Sequence, residues 1–262
     1  MISRRRLIGT AVLAIALCST AGSSGEVVQK EGVRVQVAGK LTPEKLPRSG
    51  KAPVSVSIAG RIGSTGSESS PPQLRRIEID INSHGRLSVN GIPRCRMGQI
   101  MPSTTSEALA ACRQALVGEG SFSADVKLPE QSPFPSKGKV VAFNGRFKGK
   151  PAILAHVYGT KPAPTSVVLP FIITRMRGTY GTRLEAELPQ VTGEWGFVTG
   201  IAMELQRRFV RGGVPHSYLS AGCPAPAGFS TALYPLARTI FTFETVSLSA
   251  VLRRQCKVGG TR

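Results

Sequence analysis

The stretch Ile77-Glu-Ile-Asp-Ile-Asn-Ser-His-Gly-Arg-Leu-Ser-Val89 decides the fold class. Successive side chains of an extended chain alternate between faces, so Ile77, Ile79 and Ile81 point one way and Glu78, Asp80 and Asn82 the other. Ser83-His84-Gly85 supplies a turn, after which Leu87 and Val89 return on the apolar side. The reading is a hairpin with one wet face, and it places His84 at a solvated loop tip.

The same signature recurs on both sides. Val33–Val37, Val54–Ile58 and Lys139–Phe143 alternate or carry β-branched residues. Further runs follow at Ala152–Tyr158, Val167–Met176, Arg183–Leu188, Phe197–Phe209, Ile240–Thr245 and Leu248–Leu252, punctuated by 29 Gly and 19 Pro. So many turn-separated strands predict an all-β fold, an antiparallel β-sandwich. One segment reads as helix, from Thr105 to Leu116. Thr104 and Glu107 have the spacing of a capping box, Leu109, Cys112 and Leu116 share a face, and Gly118 stands at the stop. The Pro-rich stretch Leu128–Gly138 is the best linker candidate. The reading is a single β-sandwich domain over residues 22–262, with two lobes divided near 129–138 as the alternative. Gly63–Pro72 reads as an exposed loop.

At the amino terminus, Met1-Ile-Ser-Arg-Arg-Arg6 is a basic region, Leu7–Leu17 an apolar run, and Ser19-Thr-Ala21 a small-residue cleavage site. These predict a signal peptide over 1–21 that is removed on export. No later apolar run is long enough to span a bilayer, so the mature chain is expected to carry no transmembrane segment and to be secreted or held extracytoplasmically in the cell envelope. Cys18 leaves with the leader. Cys95, Cys112, Cys223 and Cys256 remain, an even set in a compartment where disulfides persist. Pairing of neighbours, Cys95 with Cys112 and Cys223 with Cys256, is the simplest arrangement, and the first bond would pin the helix onto the sheet.

Loss of Arg4, Arg5 and Arg6 takes the 34 Lys and Arg to 31 against 15 Asp and Glu, so the net charge falls from +19 to +16. Such an excess favours anionic partners, which outside the cell means envelope polymers or acidic glycans. The densest candidates are Arg207, Arg208 and Arg211, with Arg253 and Arg254 near the carboxy terminus. The charge is otherwise scattered, which equally fits a purely structural secreted protein. Aromatic residues make up only 6% of the chain. Trp195-Gly-Phe197 is the nearest approach to a stacking platform, so no specific nucleic-acid partner is expected.

Signals for chemistry are sparse. His84, His156 and His216 are too widely spaced for a zinc motif, and neither a G-x-S-x-G elbow nor a Gly-rich phosphate loop occurs, so no metal or cofactor is implied. Glu78 with Asp80, and Glu185 with Glu187, share a strand side at about 6.6 Å, but strand alternation alone accounts for both pairs.

Ser220-Ala-Gly-Cys223 resembles the S-x-G-C core of the L,D-transpeptidases, exported β-rich enzymes that act on peptidoglycan. The resemblance covers four residues and implies Cys223 as nucleophile with His216 as its base. Ala225 stands where that family has an arginine, and His216 lies only seven residues before the cysteine. His156, in Ala155-His-Val-Tyr-Gly-Thr160, looks more like the family's histidine segment. The even cysteine count favours Cys223 as half of a disulfide and a non-catalytic exported module; a cell-wall cysteine enzyme is the alternative.

Overall fold

The computed structural model describes residues 25–66, 70–189 and 196–259. The expected signal peptide, Trp195 and positions 67–69 of the Gly63–Pro72 loop lie outside the described residues.

The first strands are β1 (Glu26–Lys30), β2 (Val33–Thr42), β3 (Lys45–Leu46), β4 (Ala52–Pro53), β5 (Ser55–Ser64), β6 (Leu74–Asn82) and β7 (Gly85–Leu87). Helices α1 (Met97–Ile100) and α2 (Thr105–Cys112) follow, with a 3-10 turn at Arg113–Ala115. Next come β8 (Leu116–Val126), β9 (Phe134–Phe147), β10 (Lys150–Gly159), β11 (Thr165–Arg175), β12 (Tyr180–Glu187) and β13 (Gly196–Leu205). The chain ends with β14 (Arg208–Arg211), β15 (Val214–Ser217), β16 (Leu219–Ala221), β17 (Thr231–Phe243) and β18 (Ser247–Val258).

Among the described residues, thirteen strands form one sheet in the order β1-β2-β5-β13-β8-β9-β10-β11-β12-β6-β17-β18-β3. All its pairs are antiparallel except β18 with β3. The sheet curls until its two ends meet. Glu26 Oε1 on β1 accepts from Arg253 N at 3.0 Å and from Arg254 Nη1 at 3.2 Å on β18. Arg254 Nε donates to Gly39 O on β2 at 2.7 Å. A Cβ on Gly39 would stand 2.6 Å from Leu252 Cδ2, so the Leu252 side chain packs in the space that a larger residue there would take. The result is a sandwich-like all-β fold whose inner faces share one apolar core.

Strand periodicity sorts the residues of β10 between two such cores. Ile153 and Ala155 face inward with Val35, Ile77, Phe171, Leu184 and Phe241. Leu154 faces outward beneath the helical segment, where Cys95, Ile100, Ala108 and Cys112 cover Val141, Phe143 and Val168. The disulfide Cys95–Cys112 fastens α2 to this outer face, and Cys223–Cys256 ties the segment after β16 to β18. The capping box forms as read: Thr104 N donates to Glu107 Oε2 at 2.7 Å, and Glu107 N donates to Thr104 Oγ1 at 3.3 Å. Among the described residues, no helix is long and apolar enough to cross a membrane.

Six expectations are corrected. Both strands of the Ile77–Val89 stretch form, but they do not pair with each other. β6 lies between β12 and β17, and β7 joins a small sheet in the order β4-β16-β7. Long neighbours on both edges offer β6 far more pairing than three-residue β7 does. The face expected to be wet is partly closed: Asp80 is fully buried and Asn82 nearly so. The run Phe197–Phe209 splits, β13 staying in the main sheet while β14 pairs with β15 alone. The helix stops at Cys112, and Gly118 belongs to β8. Of the linker candidate, Phe134–Gly138 is strand, and Val126 pairs with Phe134 across a hairpin loop within the main sheet. Gly63 and Ser64 of the expected loop are likewise strand, in β5.

Candidate anion-binding groove

The β14–β15 hairpin turns through Gly212 and Gly213, whose φ values of +57° and +76° suit the tight turn that matches strand twist. Its base is anchored by Tyr218, whose side chain is fully buried. Tyr218 N donates to Arg207 O at 2.7 Å, and Ser88 N donates to Tyr218 O at 2.8 Å, which holds the hairpin against the residues after β7.

Phe209 and His216 are opposite each other in the hairpin register, so their rings share a face. The rings stack with centroids 5.5 Å apart and planes inclined at 23°. They wall a groove of about 250 Å³ whose other lining residues include Arg86, Ser88, Asn90 and Arg175. Arg175 ends β11, and Arg86 lies in β7. No carboxylate lines the groove, and neither arginine forms an ion pair among the described residues. The positive character extends to Lys51, whose ammonium is held below the usual lysine range by burial and then by Arg86. Lys51 Nζ donates to Ser83 O at 2.9 Å and Gly85 O at 3.3 Å. Guanidiniums beside a stacked aromatic pair suit a planar or tetrahedral oxyanion, which takes paired hydrogen bonds from the arginine fork.

The structure divides the arginines singled out in the sequence. Arg207, Arg208 and Arg211 lie on or beside β14, on the hairpin that walls the groove. Arg207 Nε is buried without a hydrogen-bond partner, and Arg208 is exposed. Arg253 and Arg254 sit on β18 in the other sheet, where Arg254 is engaged by Glu26 and Gly39. Arg86 and Arg175 were not singled out. They are 89 positions apart, and neither sits in a basic run, so no local signal marks them.

Cys223 is disulfide-bonded to Cys256 and 1% exposed, which leaves no thiolate to attack a substrate. His216 faces Phe209 on the hairpin. The two residues therefore do not have the roles that the transpeptidase resemblance implies. His156 is fully buried and hydrogen-bonded to Ser103 O at 3.0 Å. His84 is an exposed turn residue whose N donates to Asn82 Oδ1 at 2.9 Å. Both carboxylate pairs are held by arginine: Asp80 and Glu78 by Arg183, Glu185 and Glu187 by Arg76. Among the described residues, no three His, Cys, Asp or Glu side chains gather as metal ligands would. Comparison with protein-family models, with curated proteins and with solved structures gives no match.

Proposed function

We propose that the chain is a non-catalytic exported binding module whose hairpin groove takes an anionic group of an envelope or extracellular polymer. One observation carries the reading: Arg86 and Arg175 line the groove beside a stacked Phe209–His216 pair, with no carboxylate among the described lining residues. Two disulfides support an extracytoplasmic setting, and the +16 charge expected after loss of the leader favours anionic partners. Arg207 and Arg208 extend the positive field along the hairpin, whose strand β14 also carries Arg211, and would engage neighbouring charges of a polymer; Arg253 and Arg254 contribute only long-range attraction.

The test compares salt elution from sulfated and phosphorylated polysaccharide columns. The double variant Arg86→Ala/Arg175→Ala is expected to elute at clearly lower salt than Arg113→Ala/Arg146→Ala, which removes the same charge from exposed sites elsewhere. Co-elution of the two doubles would mean that only diffuse charge matters, as in a purely structural protein.

A further inference from the structure

A second cavity lies at the opposite end of β6 from the groove. It holds about 190 Å³ and is lined by Leu74, Phe122, Val157, Val167, Leu188 and Val198, among other mostly apolar residues. Several of these, Phe122, Val157, Val167, Leu188 and Val198, are only partly buried although they point into the interior. A deeper apolar cavity of about 70 Å³ shares Ile77 and Ile201 with it, so the space narrows inward along the strand axis. Apolar space left unfilled forfeits the dispersion contacts of every side chain around it. A dry cavity of roughly 150 Å³ is enough to take up benzene.

The lining is polarised. Among the described residues, its charged members are Lys161 and Arg75, with no carboxylate. Arg75 is bonded to Glu244. Lys161 is exposed and forms no ion pair among the described residues. The loop that carries it is held in place because Ser136 Oγ donates to Lys161 O at 2.8 Å. Thr165 Oγ1 donates to Ala163 O at 3.0 Å, which tightens the same loop.

We propose that this cavity binds a free single-chain carboxylate of about eight carbons, scaled from the benzene-sized case, with its tail toward Ile77 and Ile201 and its carboxylate at Lys161. The volume sets the tail length, the narrowing toward the inner cavity selects an unbranched chain, and Lys161, which has no ion pair among the described residues, selects the head. The site shares no residue with the groove and stands whether or not the groove binds polymer.

The test is calorimetric titration of the full, oxidised mature chain with sodium octanoate, 1-octanol and sodium butanoate. Octanoate is expected to bind one to one with a negative heat-capacity change, the mark of apolar burial, and butanoate to give no measurable heat. Lys161→Ala is expected to weaken octanoate by about tenfold, the size of one lost charge-assisted hydrogen bond, and to leave octanol unchanged. Ala124→Phe and Val198→Phe fill the cavity and are expected to abolish both, scored on whichever melts like the parent chain. Lys161 lies on an exposed loop, so its variant decides the matter even if neither filled variant folds. Absent octanoate binding, equal loss for octanol and octanoate in Lys161→Ala, or undiminished binding in a folded filled variant would each overturn the proposal.

Discussion

Glu26 and Arg254 are 228 positions apart in the sequence and 3.2 Å apart in the fold. Their contact joins the first strand of the curled sheet to the last long one, at the seam where Arg254 also reaches Gly39 O. Both side chains are partly exposed, at 29% and 21%, so solvent screening reduces what the pair contributes. Glu26→Ala is expected to lower stability by about 1 to 2 kcal/mol. A double-mutant cycle with Arg254→Met, read by urea unfolding, should show the two losses to be non-additive. Strict additivity would mean that the seam does not depend on this pair.

Asp80 lies between two arginines on neighbouring strands, with Arg183 Nε at 2.6 Å and Arg238 Nη2 at 2.6 Å. Burial alone would raise its pKa, but the hydrogen bonds and charges of the two guanidiniums outweigh it and hold the carboxyl below its ordinary value of 3.8. A depressed pKa in the folded state stabilises above the unfolded value, and that contribution is lost as pH falls through the folded one. Asp80→Ala strips Arg238 of its carboxylate and leaves Arg183 with Glu78 alone, and it is expected to cost about 3 kcal/mol. Replacing Arg183 and Arg238 by Leu in the same chain should recover most of this. Failure to recover would place the damage in packing, not in stranded charge.

His156 gives the fold a second pH dependence. Burial pushes its pKa below the ordinary 6.5, opposed in part by the hydrogen bond to Ser103 O. As pH falls below about 6.5, the unfolded chain takes up a proton that the folded chain resists, so stability declines until the folded pKa is passed. Melting temperature is therefore expected to fall between neutral and mildly acid pH, and His156→Gln should flatten that decline. An unchanged slope in the variant would assign the effect to other groups.

Each disulfide restricts the unfolded chain according to the loop that it closes. The separations are 17 residues for Cys95–Cys112 and 33 for Cys223–Cys256. Removal of either by paired Ala substitution is expected to cost about 3 to 4 kcal/mol, the longer loop slightly more. The denatured, unreduced chain lacking the expected leader, and with it Cys18, should show no free thiol to a labelling reagent. A labelled Cys223 would reopen the question of a cysteine nucleophile.

Much of the local structure was legible from residue pattern. Alternation over Ile77–Ile81 marks β6 because a sheet with one apolar face requires period two. The Thr104–Glu107 box marks the start of α2 because its bonds are made within four residues. Parity and neighbour spacing pointed to the disulfide partners. The candidate groove was only half legible: the Arg207–Arg211 cluster stands out as a basic run, whereas Arg86 and Arg175 belong to unremarkable strand ends. Strand partners were illegible as well. Nothing in β6 or β7 states that β6 will be taken by β12 and β17, since that depends on which distant strands present the longest complementary edge.

The sequence by itself determined the class of this protein: strands of period two, one capped helix, four cysteines after the expected leader, and a strong positive charge. These are properties of neighbouring residues, set by side-chain alternation, local hydrogen bonds and chain-closure distance. Only the tertiary structure decided how far the sheet curls, which arginines line the groove beside Phe209 and His216, and that apolar space remains beside Lys161. Each of those depends on contacts between residues scores of positions apart, and close packing of the whole core selects among them.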